Sequence, residues 1–167
     1  MESFIPIIIS VLALLATLYQ LYLQRVHDEK SLKPLPQIDF MDRGNLLYVH
    51  VQNNGVGPLI IEKLIFTKDK KTFTRIDECL DIDTKAYDHV EITSLNKKVV
   101  MPGSFLEVFS REFDENMENE MAYYRSQLSN LELKVEGVDI YDNKIIVAKS
   151  FKWFARHIGK PEPLIAG

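Results

Sequence analysis

The chain has 167 residues and a net charge of −4, so it lacks the basic surplus that nucleic-acid binding requires, and DNA and RNA are not expected partners. Its one cysteine, Cys79, rules out an internal disulfide. After an apolar leading segment about 120 residues remain, enough for one domain core and too few for two.

Residues 4–23, FIPIIISVLALLATLYQLYL, hold no charged side chain. A helix rising about 1.5 Å per residue over this length matches the roughly 30 Å hydrocarbon core of a bilayer, so residues 1–24 read as a transmembrane anchor. A cleavable secretory signal fits worse. Glu2 precedes the run without any Lys or Arg, the run exceeds the usual apolar core of about 7–15 residues, and no small-x-small cleavage site follows.

Within the anchor Ser10, Ala13, Thr17, Gln20 and Gln24 recur at helical spacing and form one stripe. Helices associate in lipid through small and polar residues, so this stripe is a candidate seam for self-association or for a partner helix. In the alternative reading Ser10 and Thr17 bond their own backbone while Gln20 and Gln24 reach the headgroups. Tyr19 and Tyr22 suit an interfacial aromatic belt in either case.

Arg25, Lys30 and Lys33 follow the apolar run, and basic flanks are retained on the cytoplasmic side. The expectation is a single-pass protein of the cell inner membrane with its C-terminal domain in the cytoplasm. Residues 25–35, which include Pro34, form a juxtamembrane linker, and residues 36–158 form the domain.

Period-two alternation dominates that domain. In LLYVHVQN, Leu47, Val49 and Val51 fall on one face and Tyr48, His50 and Gln52 on the other, which predicts a half-buried strand. Further strands are predicted over residues 59–66, 104–110, 131–141 and 145–154, with weaker ones near 37–40 and 87–93. Asp142, Asn143 and Lys144 are turn residues that join the last two strands as a hairpin. From Asp114 to Asn130 the period changes: Met117, Met121, Tyr124 and Leu128 lie on one helical stripe, with Asp114, Glu115, Glu118 and Glu120 at the dipole-favoured start. The predicted fold is mainly β: an antiparallel β-sandwich of about seven strands with one helix inserted before the last two, preceded by the single transmembrane helix. Residues 159–167 read as a flexible tail.

The stretch VHVQNNGVGPLII, residues 49–61, contains two glycines and a proline between apolar runs. A dinucleotide fingerprint needs a third glycine and a helix next, and a P-loop ends in Gly-Lys-Ser/Thr; neither is present. Asn53, Asn54, Gly55 and Gly57 are therefore expected to supply positive φ where the chain reverses or crosses between sheets. The element Val49-x-Val51-x-Asn53-Asn54-Gly55 resembles the strand element of bacterial immunoglobulin-like β-sandwich modules, including adhesion-related domains of prokaryotic surface proteins. That resemblance implies a sandwich and a binding habit, and it carries no catalytic residues.

Catalytic and metal signatures are sparse. His27, His50, His89 and His157 show no pair at ligand spacing. Cys79 is a candidate nucleophile only if folding brings a histidine to it; a lone cysteine is more often a small buried apolar residue. Asp77, Glu78, Asp81 and Asp83 offer oxygen ligands for a divalent cation, but without the glycine and terminal glutamate of a calcium loop they read first as a solvated acidic turn. No cofactor is implied and no enzymatic activity is expected. Lys68, Lys70 and Lys71 in one turn, and Lys149, Lys152, Trp153 and Arg156 with Lys160 near the end, are candidate contacts to anionic lipid.

The expected function is that of a membrane-anchored binding or adaptor protein whose sandwich recruits another protein or a second copy. A different layout, resembling small anchored effectors of prokaryotic defence, has the helices cluster along the Ser10 to Gln24 stripe and perturb the bilayer.

Overall fold

The computed structural model describes residues 4–92, 96–114 and 117–157. The expected tail, Glu115 and Lys160 lie outside them.

α1 (Phe4–Ser31) is longer than its apolar part by two turns, residues 24–31. Those added turns are polar and are held by the Arg25–Glu29 pair at 3.3 Å. The helix stops where Ser31 Oγ and the Leu32 amide both bond to the Asp28 carbonyl, two residues before Pro34. The segment expected to be linker from residue 25 is thus helical up to Ser31, and residues 32–35 alone make the connection. No residue of α1 is buried, so it projects away from the domain.

The strands are β1 (Pro36–Arg43), β2 (Leu46–Asn53), β3 (Leu59–Lys68), β4 (Lys71–Phe73), β5 (Asp88–His89), β6 (Lys98–Val100), β7 (Phe105–Glu112), β8 (Glu132–Val138) and β9 (Lys144–Ser150). They form two antiparallel sheets, one ordered β1-β2-β7-β5 and the other β4-β3-β8-β9, with β6 also paired to β3. α2 (Glu118–Ser129) enters before β8 and β9, where the helical stripe predicts it. Two strands beyond the expected seven are three-residue pieces, β4 and β6, both on the edge of β3 opposite β8. They are too short to show a period. Of the strand expected over 87–93, β5 keeps two of the described residues, and Thr93 lies outside them.

The core is the sum of the inward-facing sets. Leu47, Val49 and Val51 of β2 meet Leu59, Ile61, Leu64 and Phe66 of β3 and Leu133 and Val135 of β8, all nearly inaccessible to water. Met121, Tyr124 and Leu128 of α2 close one end, whereas Met117 precedes the helix and stays exposed. The last strand predicted over 145–154 ends at Ser150, and residues 151–157 coil into a 3₁₀ helix. Phe151 and Phe154 decide this. They are three apart and both fully buried, and 3₁₀ geometry puts such residues on one side, where they pack on Phe40 at ring distances of 5.0 and 5.3 Å.

Candidate functional site: the socket that holds the anchor

The β2–β3 connection crosses from one sheet to the other, and residues 32–35 pass against it. Alternation along β2 points Asn53 inward after Leu47, Val49 and Val51, so a polar side chain sits fully buried at the sandwich end. Every polar atom of that amide is used. Oδ1 accepts from the Leu35 and Gly55 amides, both at 3.1 Å, while Nδ2 donates to the carbonyls of Gly57 at 2.8 Å and Val100 at 3.0 Å. The Asn54 amide donates to the Leu35 carbonyl at 2.9 Å. One asparagine thereby joins the linker, the sheet crossing and β6.

The glycines here act by size. Neither Gly55 nor Gly57 has positive φ, which corrects the expectation; among the described residues Gly44 and Gly103 are the glycines that do. A Cβ on Gly55 would lie 2.5 Å from the Lys33 carbonyl oxygen, and one on Gly57 would overlap the Leu32 carbonyl oxygen outright. Close approach of two backbones therefore requires glycine at both positions. Asn53 was missed as a structural clamp, although its place on the inward set of β2 is a sequence signal: a buried amide needs partners.

On the anchor itself Ser10 Oγ donates to the Pro6 carbonyl at 2.7 Å and Thr17 Oγ1 to the Ala13 carbonyl at 2.9 Å. Both hydroxyl protons are thus satisfied within α1, while Ser10, Ala13, Thr17, Gln20 and Gln24 all remain exposed along one stripe.

The candidate lipid contacts sit elsewhere. Lys149 pairs with Leu133, at the end of β8 away from the socket, and Lys152, Trp153 and Arg156 follow it in the 3₁₀ helix. Lys149 Nζ bonds to the Ile38 carbonyl at 2.7 Å and lies 4.3 Å from the Phe40 ring centre. The Arg156 guanidinium stacks on Trp153 and reaches the Asp42 carbonyl at 3.1 Å. Lys68 and Lys71 also lie at this far end, flanking a tight turn in which Asp69 and Lys70 have positive φ.

His50 stands on the outer face between Tyr48 and Phe105, with ring distances of 3.8 and 4.2 Å, and its Nε2 is 3.4 Å from Glu107. Burial holds its imidazole below the usual histidine range, against the opposing pull of Glu107 and Asp39. A folded-state value below the unfolded one means that the unfolded chain binds the extra proton first. This contribution to stability is present above about pH 6.5 and is lost as pH falls through that value. Thermal unfolding scans are expected to show a Tm that drops between about pH 7.5 and about pH 5.5, with a shallower drop for His50→Phe.

Cys79 lies in the core, 3% exposed, and burial pushes its thiol up to about 11. Alkylation of the folded protein at about pH 8 is expected to run on the order of a few hundredfold slower than for a free thiol, and denaturant should restore it. Of the acidic cluster, Asp77 is bound by Arg75 at 2.6 and 3.0 Å, and Asp83 caps the Lys85 amide at 3.0 Å. Among the described residues no three His, Cys, Asp or Glu side chains converge on one point.

One helix among the described residues, α1, is long and apolar enough to cross a membrane. No protein-family model matches the chain, and no curated protein matches it. Among solved structures, the archaellum periplasmic stator protein FlaG from Sulfolobus acidocaldarius is 9% identical with a TM-score of 0.27, over 69% of this chain and 100% of that one. A likeness at that level carries no argument about fold or function.

Proposed function

We propose that the chain is a single-pass, membrane-anchored binding or adaptor protein whose sandwich, immunoglobulin-like in its two-sheet layout, lies on the cytoplasmic side and recruits or joins another protein. The socket carries this reading. A linker clamped by Asn53 and pressed against two glycines gives the sandwich a set pose relative to α1, which suits a surface presented at a membrane. Arg25, Lys30 and Lys33 support the cytoplasmic placement. For contact, β1 and β9 are each paired on one side only among the described residues, and open strand edges are a common route of recognition.

The test uses the full chain in cells. Protease added to spheroplasts is expected to leave the domain intact, and a photoreactive residue in place of Ile146, exposed on β9, is expected to give a discrete adduct with itself or another protein. Digestion of the domain in intact spheroplasts would refute the cytoplasmic placement. Absence of an adduct from probes on both β9 and β1 would refute recruitment through these edges. Thr17→Leu with Gln20→Leu separates the effector layout, because clustering through the seam would be lost in that variant while the β9 adduct persists.

A further inference from the structure

Exposed apolar side chains are unevenly placed on the sandwich. Singly they need no explanation, but half of those beyond α1 gather at the socket end: Leu35, Val56, Met101, Phe105, Ile140 and Tyr141. Their common location follows from their neighbours. Val56 lies between the two glycines that touch the linker, and Met101 follows Val100, whose carbonyl bonds to Asn53. Phe105 pairs with Gln52, the residue before Asn53. The turn carrying Ile140 and Tyr141 is close enough to Lys33 for that charge to act on Asp139. Loop tips of a sandwich in water are usually polar. Here four separate segments all end in apolar side chains, and all surround the point where α1 departs.

We propose that this rim is a second membrane-contact surface, seated in the headgroup layer of the bilayer that α1 enters. The inference rests on α1 spanning the membrane, and continuity with that helix selects the occupant. Residues 24–31 place the socket about 12 Å above the hydrocarbon edge for an upright helix, and a tilt of up to about 40° reduces this to about 9 Å. The headgroup layer is roughly 5–7 Å deep on each side, and the side chain of Met101 extends from its loop by several ångström, so the tips reach that layer without entering the acyl core. Aromatic side chains favour this depth. Lys33, Lys98 and Lys144 lie among the tips, with Asp142 opposing them and Lys97 already paired to Glu62 at 2.5 Å, so apolar contact leads and charge assists. Docked in this way, the rim and α1 hold the sandwich at several points, leaving α2 and the 3₁₀ helix facing away from the bilayer.

The experiment places single spin labels through Val56→Cys and Met101→Cys in the full chain, reconstituted in vesicles of mixed zwitterionic and anionic phospholipid. The buried Cys79 stays in place. Power saturation compares oxygen, which partitions into lipid, with a water-soluble nickel complex; Tyr123→Cys on α2 marks water and Leu14→Cys marks the acyl core. The expected result is a several-fold lower nickel accessibility at 56 and 101 than at 123, with raised oxygen accessibility. Nickel accessibility equal to that at 123 would overturn the proposal. So would shielding from both reagents, which would mean that protein and not lipid covers the rim. A Leu14 label without an oxygen-rich signature would count against the anchor itself, which keeps the two failures distinct.

Discussion

Gly57→Ala is expected to release the linker from its socket and to cost about 2–4 kcal/mol of stability. The new Cβ would occupy the space of the Leu32 carbonyl oxygen and lie 2.5 Å from its carbon, and both are backbone atoms that no rotamer change can move. Either the crossing loop or residues 32–35 must shift. In both cases the bonds from the Leu35 amide to Asn53 and from the Asn54 amide to the Leu35 carbonyl are lost. Amide hydrogen exchange at Leu35 should rise to that of an open chain while the β2 and β8 amides stay protected. Asn53→Asp should act at the same place, because it sets carboxylate oxygens against the Gly57 and Val100 carbonyls that now receive its N–H groups. Gly44→Ala is the control: its φ of +59° strains an alanine by about 1–2 kcal/mol, but nothing lies within 4 Å, so the linker should remain docked. An unchanged Leu35 exchange rate in Gly57→Ala would show that the linker is not clamped.

Asp42→Ala is expected to destabilise the domain by about 3–5 kcal/mol. The Asp42 carboxylate is completely buried and takes a forked contact from Arg125, with Nε at 3.1 and 3.0 Å and Nη2 at 2.6 Å. Arg156 adds a bond to the Asp42 carbonyl at 3.1 Å and a more distant approach to the carboxylate at 3.7 Å. One acid thus ties β1 to both α2 and the 3₁₀ helix. Removing it leaves the Arg125 charge, 18% exposed, without a counter-ion, and that desolvated cation is the main cost. Asp42→Leu combined with Arg125→Met should recover most of the loss, since apolar groups of similar volume often replace a buried pair at little cost. Urea denaturation of the three proteins checks this. Equal destabilisation in the single and double variants would mean that packing, not the stranded charge, sets the cost.

The legible parts of the chain are those in which neighbouring residues carry the signal. β2 and β8 alternate almost perfectly between buried and partly exposed positions, so local chemistry and tertiary burial agree there. The stripe of Met121, Tyr124 and Leu128 likewise announced α2. Where signals are short or mixed, sequence and structure part: β4 and β6 have three residues each, and the Phe-Lys-Trp-Phe segment has the composition of a continuing strand but turns so that Phe151 and Phe154 both pack on Phe40. The sequence leaves open whether the chain reverses or crosses between sheets at the two glycines beside Asn53; it crosses, and the reason for both glycines is the linker 20 to 25 residues upstream, which no local pattern encodes.

By itself the sequence determined that an uncharged 20-residue run precedes a mainly β domain with one late helix, because length, charge and periodicity are one-dimensional properties. Only the tertiary structure decided that the linker after α1 is clamped at one end of the sandwich, that the basic and aromatic residues of the C-terminal segment lie at the other, and that Asp42, Arg125 and Arg156 meet. These are contacts between residues tens of positions apart. Their energies depend on distance and burial, which exist only once the two sheets have closed on each other.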